Sequence, residues 1–505
     1  MLRHSGSQLS GLMVWRHSEQ ITMDIWESIE FGARALLLKS AASKSPEDIQ
    51  KLGRSRLEQL VAHARANSEF WRKKFSGVDE HSFDLTDLPT STKPELMENF
   101  DRAVTADDLR RDEVESYLED ESNLGKYYLN KYALSHTSGS QGQPLLIVQT
   151  KDNLELLFAL QASRGNQKSI GVGDALKHFI TPARLAAIIF NPGFYPSASA
   201  FHHMPAGAKH YLEVKVFCAN DDDLVEQLAE YRPTHLTAYA SMLHEIARQI
   251  ESGRVSLKPE LEEVVNISER LMPQAREHYV KIFGAPVLDN YSMGECLFLT
   301  NGCTKCHGMH VNADWALLEV VDENNKPVPN GETGAKVLVT NLANYTQPII
   351  RYEIGDMITM ATEPCGCGSN LPLIDHVEGR DSDVFEIKTE KGTRTLQPTI
   401  FELALGRMLD VREYQLVQED NTRFRILVEP LPGKTVNLAR AEKMMHEQLR
   451  EYGLDQQLQI TVETVDRLTN DGEQKFKRVV SKTRDDKDKK DSRRGGEVAE
   501  KKVER

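Results

Sequence analysis

Long hydrophobic runs are missing from this chain of 505 residues. No apolar stretch approaches the roughly 20 residues that a membrane-spanning helix requires. The beginning of the chain has only a short apolar core at 12–15, which is too little for a secretory signal. We therefore expect a cytoplasmic protein without a membrane partner. Met23 is an alternative translation start to Met1, and the mass of the native protein would decide between them.

A surplus of basic residues is also missing. The 62 Lys and Arg residues are outnumbered by 76 Asp and Glu residues, which gives a net charge of −14. Because nucleic-acid backbones and anionic membranes attract basic surfaces, this balance argues against both as the main partner. The hydrophobic fraction of 40% and the charged fraction of 27% are typical of a soluble globular protein. The length implies two or more domains.

Cysteine is scarce, and six cysteines in a chain of this length do not suggest a disulfide scaffold. Cys218 and Cys296 stand apart, whereas the other four form two tight pairs with two histidines nearby, namely Cys303, Cys306, His307, His310, Cys365 and Cys367. This is the spacing of a tetrahedral zinc site, and which four of these six residues bind is open at this point. Reduced buried cysteines are the alternative. A redox dithiol is disfavoured, because the pairs lie in a predicted β unit rather than at a helix start.

A loop rich in hydroxyl groups and glycine lies between two apolar stretches. The segment 137–144 contains Thr137, Ser138, Gly139, Ser140 and Gly142, and the apolar run 145–148 follows it. Glycine lets successive backbone N–H groups point at one anion and the hydroxyls add donors, which is how a loop binds a polyphosphate. No lysine follows the second glycine, so this is not the common phosphate loop. A polar hairpin turn is the alternative interpretation.

Short apolar runs alternate with helical patterns from residue 152 to residue 285. This alternation is typical of a parallel sheet flanked by helices. Two of the runs, which begin at Val264 and Val287, end in polar loops that carry carboxylates. These loops contain Ser268, Glu269, Asn290, Tyr291 and Glu295. Because open α/β sheets bind ligands at the carboxyl ends of their strands, we expect a ligand site there.

The chain is expected to divide into four segments. A helix is predicted to start at Ser45, with Pro46 in its first turn, after an N-terminal extension at 1–44. A large α/β domain follows at 45–379, and strand-like runs at 315–321 and 335–340 predict a small antiparallel β unit within it, at about 300–370. A small α+β domain is expected at 380–482. The tail at 483–505 is almost entirely polar and is expected to be disordered.

Five motifs follow one another in a distinctive order. They are the loop 137–144, the segment 290–295, the Arg-Tyr-x-x-Gly-Asp sequence at 351–356, the Gly-Arg segment at 379–383 and the lysine segment at 472–475. In this order they resemble the adenylate-forming superfamily of acyl-CoA synthetases, and within it the phenylacetate–CoA ligase-like branch. The resemblance covers roughly residues 52–482. It implies an α/β fold: a large N-terminal domain of helix-flanked, mostly parallel sheets and a small, mobile C-terminal domain.

The resemblance also implies roles for single residues. The ATP phosphates would bind to the hydroxyl-rich loop, at Thr137, Ser138, Gly139, Ser140 and Gly142. Tyr291 would lie against the adenine, Asp356 would accept the ribose hydroxyls, and Arg380 would donate near the ribose and phosphate. The other nucleotide-binding candidates are Ser268, Glu269 and Asn290. Each residue alone has a structural alternative, such as a packed tyrosine or a turn aspartate.

Three further roles concern ions and the small domain. Glu295 would bind Mg²⁺, and Lys475 would meet the acid's carboxylate and the α-phosphate during adenylation. Some members of this branch carry a structural zinc ion at the place of the cysteine pairs, and His310 fits their Gly-x-His pattern. Here a helix-capping glutamate and a solvated lysine are the alternatives.

The chain departs from the family's pattern at five positions, namely Gln141, Gln143, Gly294, Ser382 and Gln474. The family usually has threonine and lysine at the first two, threonine at 294, aspartate at 382 and glycine at 474. The loss of a lysine and of a hydroxyl at the phosphate site puts the rate and the nucleotide affinity in question.

The sequence therefore predicts a ligase that converts a carboxylic acid (aryl or related), ATP and CoA into an acyl-CoA, AMP and pyrophosphate. The small domain is expected to rotate about residues 382–383 between the two half-reactions. The alternatives are an enzyme that stops at adenylyl transfer or uses a carrier protein or amine as acceptor, and a catalytically degenerate nucleotide-binding protein. The acyl-pocket candidates are Phe194, Tyr195 and residues 239–241, whereas His202, His203 and His235 are expected to be structural. The oligomeric state stays open, with a homodimer as one option.

Overall fold

The computed structural model describes residues 26–137, 144–164, 177–178, 180–189, 193–219, 221–257, 261–380, 385–389, 392–396, 398, 401, 405, 408, 410–451, 453–468 and 477–483. These residues divide into two compact units. The first unit contains those within Met1–Glu269 and Phe283–Val377, and the second contains those within Arg270–Ile282 and Glu378–Arg505. Among the described residues, no helix combines the length and the apolar character needed to cross a bilayer.

The helices are numbered in chain order. They are α1 (26–42), α2 (Pro46–Asn67), α3 (Glu69–Lys74), α4 (Lys93–Glu98), α5 (Phe100–Ala103), α6 (Arg111–Glu119), α7 (Lys151–Arg164), α8 (Pro196–His202), α9 (Ala206–Lys209), α10 (Leu224–Tyr231), α11 (Ala240–Glu251), α12 (Pro273–Phe283) and α13 (Leu438–Glu451). Short 3₁₀ turns lie at Leu85–Asp87 and Glu121–Asn123.

The strands are numbered in the same way. They are β1 (Tyr132–His136), β2 (Leu146–Thr150), β3 (Ala183–Ile189), β4 (Leu212–Cys218), β5 (His235–Ala238), β6 (Glu263–Ile267), β7 (Val287–Asn290), β8 (Thr300–Gly302), β9 (Met309–Val311), β10 (Ala316–Val321), β11 (Lys336–Asn341), β12 (Ile349–Ile354), β13 (Asp356–Met360), β14 (Leu373–Arg380), β15 (Phe385–Thr389), β16 (Gly392–Leu396), β17 (Val411–Gln418), β18 (Arg423–Pro430), β19 (Gln459–Thr464) and β20 (Val479–Ser481).

The predicted parallel sheet is confirmed. It has five strands in the order β4-β3-β5-β6-β7, and every neighbouring pair is parallel. Helices α10 and α11 lie between successive strands of this sheet along the chain. The loops after β6 and β7 leave the same edge of the sheet, because the carboxyl ends of parallel strands lie together. Five of the site residues predicted from the sequence lie at the ends of these two strands, namely Ser268, Glu269, Asn290, Tyr291 and Glu295.

Antiparallel strands follow the parallel sheet, as the sequence predicted. Strands β10, β11 and β12 form a three-stranded sheet, and the predicted hairpin is the β10–β11 pair. A second sheet has the order β13-β14-β9-β8. Strands β1 and β2 form a separate antiparallel pair, so the hydroxyl-rich segment connects the two strands of a hairpin.

The N-terminal helices α1 and α2 pack against the rest of the first unit. The predicted helix start is confirmed, because the backbone N–H of Asp48 donates to the Ser45 hydroxyl at 3.1 Å. Helix α1 is held by a hydrogen bond of 2.8 Å between Ser28 Oγ and His210 Nδ1 and by an ion pair of 2.9 Å between Arg34 and Glu155. The apolar face of α2 packs into a core shared with α3, β1, β2 and β12.

The second unit has an α+β fold. Its main sheet has the order β19-β18-β17-β20, with helix α13 against β19 and the hairpin β15–β16 nearby in sequence. Its core contains Phe385, Phe401 and Phe424, whose ring centroids lie 4.9–6.2 Å apart. Several predictions concern residues outside the description: the tail from 484 onward, the start at Met23, Ser382 in the linker, and Gln474.

Candidate functional site

The base of the hydroxyl-rich loop is closed by Thr137. Its backbone N–H donates to the Leu145 carbonyl at 3.0 Å, and its hydroxyl oxygen accepts from the Leu145 N–H at 3.0 Å. The hydroxyl therefore anchors the hairpin and keeps one hydrogen to donate. The remaining phosphate-site candidates of this loop lie outside the described residues, namely Ser138, Gly139, Ser140 and Gly142, together with Gln141 and Gln143.

The structure brings Tyr291 and Asp356 together, although they lie 65 residues apart in the chain. Tyr291 directly follows β7, and Asp356 opens β13. The Tyr291 hydroxyl donates to Asp356 Oδ2 at 2.7 Å, and Asp356 is 8% exposed. A ring and a carboxylate held side by side at the ligand-binding edge of the sheet are suited to a nucleoside, whose base stacks and whose ribose hydroxyls donate.

Glu295 lies close to the same pair. Its carboxylate accepts a hydrogen bond from the Tyr352 hydroxyl, and its backbone carbonyl accepts from Asn341 Nδ2 at 2.8 Å. Burial raises the pKa of Glu295, and the Tyr352 hydroxyl and the ammonium group of Lys93 act in the opposite direction. Because a cation would stabilise the charged form of a buried carboxylate, this residue fits a divalent metal ligand.

The residues of the Arg-Tyr-x-x-Gly-Asp sequence have two different roles. Arg351 is buried and pairs with Glu319 through two hydrogen bonds of 2.9 and 3.0 Å. It also donates to the backbone carbonyls of Thr86 and Leu88. Arg351 is thus a structural residue, whereas Tyr352 and Asp356 face the candidate site.

The departure from the family's pattern at Gly294 has a structural counterpart. A Cβ atom at this position would lie 2.9 Å from Pro196 Cγ and 3.4 Å from the methyl group of Thr137. A threonine here would therefore require Pro196, the first residue of α8, to move. The space that the family fills with a hydroxyl side chain is filled in this chain by a proline ring.

The loop after β6 is tied to its neighbours through Glu269. The backbone N–H of Ser241 donates to Glu269 Oε2 at 2.8 Å. Asn266 Nδ2 donates to the Glu269 carbonyl at 2.5 Å and to Asp289 Oδ1 at 2.7 Å. Ser268 has a positive φ of 63°, so the turn is sharp. The predicted residues Ser268 and Glu269 are thus at the sheet edge, and the Glu269 carboxylate links this loop to the start of α11.

Asn290 bonds within the protein. Its Oδ1 accepts from the Gly302 N–H at 2.6 Å, and its Nδ2 donates to Gln161 Oε1 at 3.4 Å. From Gln161 a buried chain of polar groups continues to a buried ion pair, through Asn301, Asn312, Arg164 and Asp314. Sequence reasoning missed this chain. Its only signal is that Gln161 and Arg164 lie one turn apart near the end of the largely apolar helix α7.

The remaining candidates of the first unit are more scattered. Phe194 is buried, and the Tyr195 ring lies 5.4 Å from the His136 ring. Tyr239 is buried at the start of α11. His203 makes hydrogen bonds of 2.8 and 3.0 Å with the carbonyls of Ser199 and Lys126, which is a structural arrangement, as expected.

Two of the predicted catalytic residues, Arg380 and Lys475, lie after β13 in the chain. Arg380 is the last residue of β14, and its side chain is not described. Lys475 lies outside the described residues. Just after it, Arg478 pairs with Glu413 of β17 through bonds of 2.8 and 2.6 Å.

The cysteine pairs converge with one histidine. The ligand atoms of Cys303, His310, Cys365 and Cys367 all lie within 4.8 Å of one another. Cys303 Sγ is 3.5 Å from Cys365 Sγ, and Cys367 Sγ is 3.3 Å from His310 Nε2. Cys306 is exposed and is not in this set of four, although its thiol contacts Cys303 and Cys365, so the structure gathers three cysteines and His310 most tightly.

The surroundings of this cluster fit a tetrahedral metal ion. His310 Nδ1 donates to the Leu371 carbonyl at 3.1 Å, which leaves Nε2 as the ligand atom. Backbone N–H groups of Lys305 and Ser369 point at the sulfurs of Cys303 and Cys367, at 3.3 and 3.4 Å. Burial alone would raise the pKa of Cys303, and hydrogen bonds from backbone N–H groups act in the opposite direction. Three thiolates and one imidazole are a typical zinc ligand set.

Comparison with known proteins gives four results. A family model described as AMP-binding enzyme matches residues 50–340. The chain is 25% identical over 386 residues to a phenylacetate-coenzyme A ligase of Thermus thermophilus, covering 74% of this chain and 78% of the relative. It is 22% identical over 393 residues to protein CapK of Staphylococcus aureus, covering 74% and 76%. A crystal structure of 2-hydroxyisobutyryl-CoA ligase in complex with R3-HIB-AMP has a TM-score of 0.63 at 19% identity, covering 87% of this chain and 91% of that one.

Proposed function

The chain belongs to the family of AMP-binding enzymes, and from this premise we propose that it is an acid–thiol ligase. A carboxylic acid attacks the α-phosphate of ATP to give an acyl-AMP and pyrophosphate. The thiol of CoA then attacks the acyl carbon, and AMP leaves with the bond electrons to give the acyl-CoA. The observation that carries this proposal is the hydrogen bond of 2.7 Å between Tyr291 and Asp356, a pair that would bind the nucleoside at the edge of the parallel sheet. The relative from Thermus thermophilus carries the name of such a ligase.

The residues of the first unit would bind the nucleotide. Asp356 would accept the ribose hydroxyls, and the Tyr291 ring would lie against the adenine. The Thr137 hydroxyl and the loop that it closes would donate to the phosphates. Glu295 would hold Mg²⁺, which neutralises phosphate charge when it is bound.

The second unit would supply the groups that act at the reacting atoms. We propose that Arg380 donates near the ribose and phosphate and that Lys475 offsets the charge that develops as carboxylate and α-phosphate meet. A rotation about residues 382–383 would then withdraw Lys475 for thioester formation. We also propose that the boundaries between the N-terminal extension, the large domain, the small domain and the tail lie after residues 44, 379 and 482.

The cysteine cluster would hold a structural zinc ion. Its four ligands would be Cys303, His310, Cys365 and Cys367, whose ligand atoms lie within 4.8 Å of one another. A closed set of four protein ligands leaves no position for substrate, so the ion would stabilise the fold rather than take part in the reaction.

Pyrophosphate exchange into ATP, measured across a panel of aryl and aliphatic acids with and without CoA, tests the proposal. A ligase exchanges in the presence of its acid and releases AMP only when CoA is added. Acid-dependent exchange without CoA-dependent AMP release would identify another acceptor, such as a carrier protein or an amine. Absence of exchange with every acid, together with retained AMP binding, would identify a nucleotide-binding protein and refute the ligase. An aryl acid is the expected best substrate.

A further inference from the structure

The hydroxyl group of Thr300 holds the backbone of Tyr291 at two points. The Tyr291 N–H donates to Thr300 Oγ1 at 2.9 Å, and the Thr300 hydroxyl donates to the Tyr291 carbonyl at 2.7 Å. Thr300 is the first residue of β8 and is fully buried. Tyr291 lies just beyond the end of β7, where the parallel ladder has ended. One side chain thus satisfies both the backbone donor and the backbone acceptor of this residue.

Strand β8 fixes the preceding residue as well. The Gly302 N–H donates to Asn290 Oδ1 at 2.6 Å. The side chain of Asn290 and the backbone of Tyr291 are therefore both held by β8, and the Tyr291 hydroxyl reaches Asp356. A shift of this backbone would move the ring and break its alignment with the carboxylate.

The chemistry of Thr300 excludes a direct role in nucleotide binding. Its hydroxyl has a single hydrogen, which it donates to the Tyr291 carbonyl, and its oxygen accepts from the Tyr291 N–H. Since the residue is fully buried, its effect on a ligand must act through Tyr291.

We propose that Thr300 is a positioning residue for the nucleotide: its hydroxyl sets the place of the Tyr291 ring, and thereby the Tyr291–Asp356 pair, before the nucleotide binds. This inference rests on the proposed function. It adds a residue outside the motifs of the sequence, and it explains how a loop residue keeps a fixed orientation beside β8. Preformed sites bind more tightly because less order has to be created on binding.

The test compares a variant that loses the hydroxyl group with a variant that keeps it. Thr300→Val keeps the shape of the side chain and removes both hydrogen bonds, and it should weaken AMP binding about tenfold, because two buried backbone groups lose their partner. Thr300→Ser keeps the hydroxyl and should bind AMP within about twofold of the natural protein. Titration calorimetry with AMP on the full chain measures both.

A matched control separates positioning from loss of stability. Thr234 makes a similar contact at the amino ends of the parallel strands: the Arg184 N–H donates to its hydroxyl oxygen at 2.8 Å, and the hydroxyl lies 3.3 Å from the Arg184 carbonyl and 2.9 Å from His235 Nδ1. Thr234→Val should lower the melting temperature as Thr300→Val does and leave AMP affinity unchanged.

Coupling to Tyr291 gives a second readout. If Thr300 acts through Tyr291, then Thr300→Val combined with Tyr291→Ala should bind AMP no more weakly than Tyr291→Ala alone. Additive losses would overturn the proposal, as would an unchanged AMP affinity in Thr300→Val or an equal loss in Thr234→Val. Should Thr300→Val not fold, Thr300→Cys takes its place, since a thiol forms weaker hydrogen bonds at similar volume, with an expected loss of at least about threefold. Failure of the natural chain to bind AMP would count against the proposed function instead.

Discussion

Asp356 is the last residue of the Arg-Tyr-x-x-Gly-Asp sequence, and its carboxylate does more than stabilise a turn. Asp356 is buried and is the first residue of β13, and its carboxylate accepts a hydrogen bond of 2.7 Å from the Tyr291 hydroxyl. The structural alternative for each of these residues taken alone is a packed tyrosine or a turn aspartate. Their contact favours a joint role, because two residues 65 positions apart meet at the edge where open α/β sheets generally bind ligands.

Removal of this carboxylate is the sharpest test of the nucleotide site. Asp356→Ala should weaken AMP binding by a factor of ~10 to 100, since ribose hydroxyls left without an acceptor cost roughly 1–3 kcal/mol. Titration calorimetry measures the affinity, and circular dichroism shows whether the fold is intact. Asp107→Ala, which removes an exposed carboxylate of the same unit, is the control and should bind AMP normally. An unaltered affinity in Asp356→Ala would place the nucleotide elsewhere.

The pairing of Gly294 with Pro196 predicts a specific defect and its repair. Gly294→Thr, which restores the family's residue, should lower the free energy of unfolding by roughly 1–3 kcal/mol, because the new side chain meets the Pro196 ring. Pro196→Ala in the same chain should recover most of this loss. Urea denaturation of the three variants measures it. A fully stable single variant would show that the ring moves without cost.

Among the elements, the parallel sheet and the β10–β11 hairpin could be predicted, because apolar periodicity and turn residues are local signals. The helix start at Ser45 is a local signal of the same kind. The double contact of Thr300 with Tyr291, the grouping of His310 with three of the cysteines and the ion pair of Arg351 could not be predicted. Each depends on which segments meet in space, and spacing along the chain does not contain that information.

The start of β5 should make stability depend on pH. Burial lowers the pKa of His235 to about 4 from an ordinary 6.5, with Glu262 acting against this shift and His178 and Lys177 adding to it. A histidine whose pKa is lowered in the folded state contributes stability that is complete above pH 6.5 and is lost as the pH falls toward 4. In the natural protein this effect should lower the free energy of unfolding by about 3 kcal/mol between pH 6.5 and pH 4. His235→Gln should abolish this decrease.

Comparison of variant and natural protein isolates this contribution. Glu263 lies opposite His235 in the β5–β6 register, and burial raises its pKa to about 7, so its own contribution changes in the other direction as the pH falls. Denaturation of both proteins at several pH values between 4 and 7 gives the difference. His81→Gln alters an exposed histidine and should leave the pH dependence unchanged. Parallel curves for His235→Gln and the natural chain would contradict the expectation.

The antiparallel elements β8, β9 and β14 should depend on a metal ion. The protein should contain about one zinc ion per chain, as expected for a closed site of four ligands. Cys365→Ser with Cys367→Ser should remove it and lower the melting temperature. Cys306→Ser is the matched control, because this exposed cysteine lies outside the set of four, and it should keep the zinc ion. Zinc-free protein from a purification without chelator, or zinc loss in Cys306→Ser, would refute the assignment.

For the molecule as a whole, the two half-reactions should separate at Lys475. Lys475→Ala should lower pyrophosphate exchange by a factor of ~100 or more, the effect of losing one preorganised charge. The same variant, supplied with a synthetic acyl-AMP and CoA, should form thioester at nearly the normal rate, since the adenylate already exists. Lys477→Ala removes a neighbouring charge and should affect neither step. Equal losses in both half-reactions would contradict a rotating small domain.

The cysteine cluster also has a consequence for the order of events as the chain folds. Cys303 and Cys365 lie 62 residues apart, yet their sulfurs approach to 3.5 Å. Bringing the ends of such a long segment together in an unfolded chain costs several kcal/mol of entropy, a slow step for a non-local β unit. An ion that binds thiolates early would close this segment before the strands pair. Refolding of the β unit should then become faster as the free zinc concentration rises, so that metal supply sets the pace of maturation as well as the final stability.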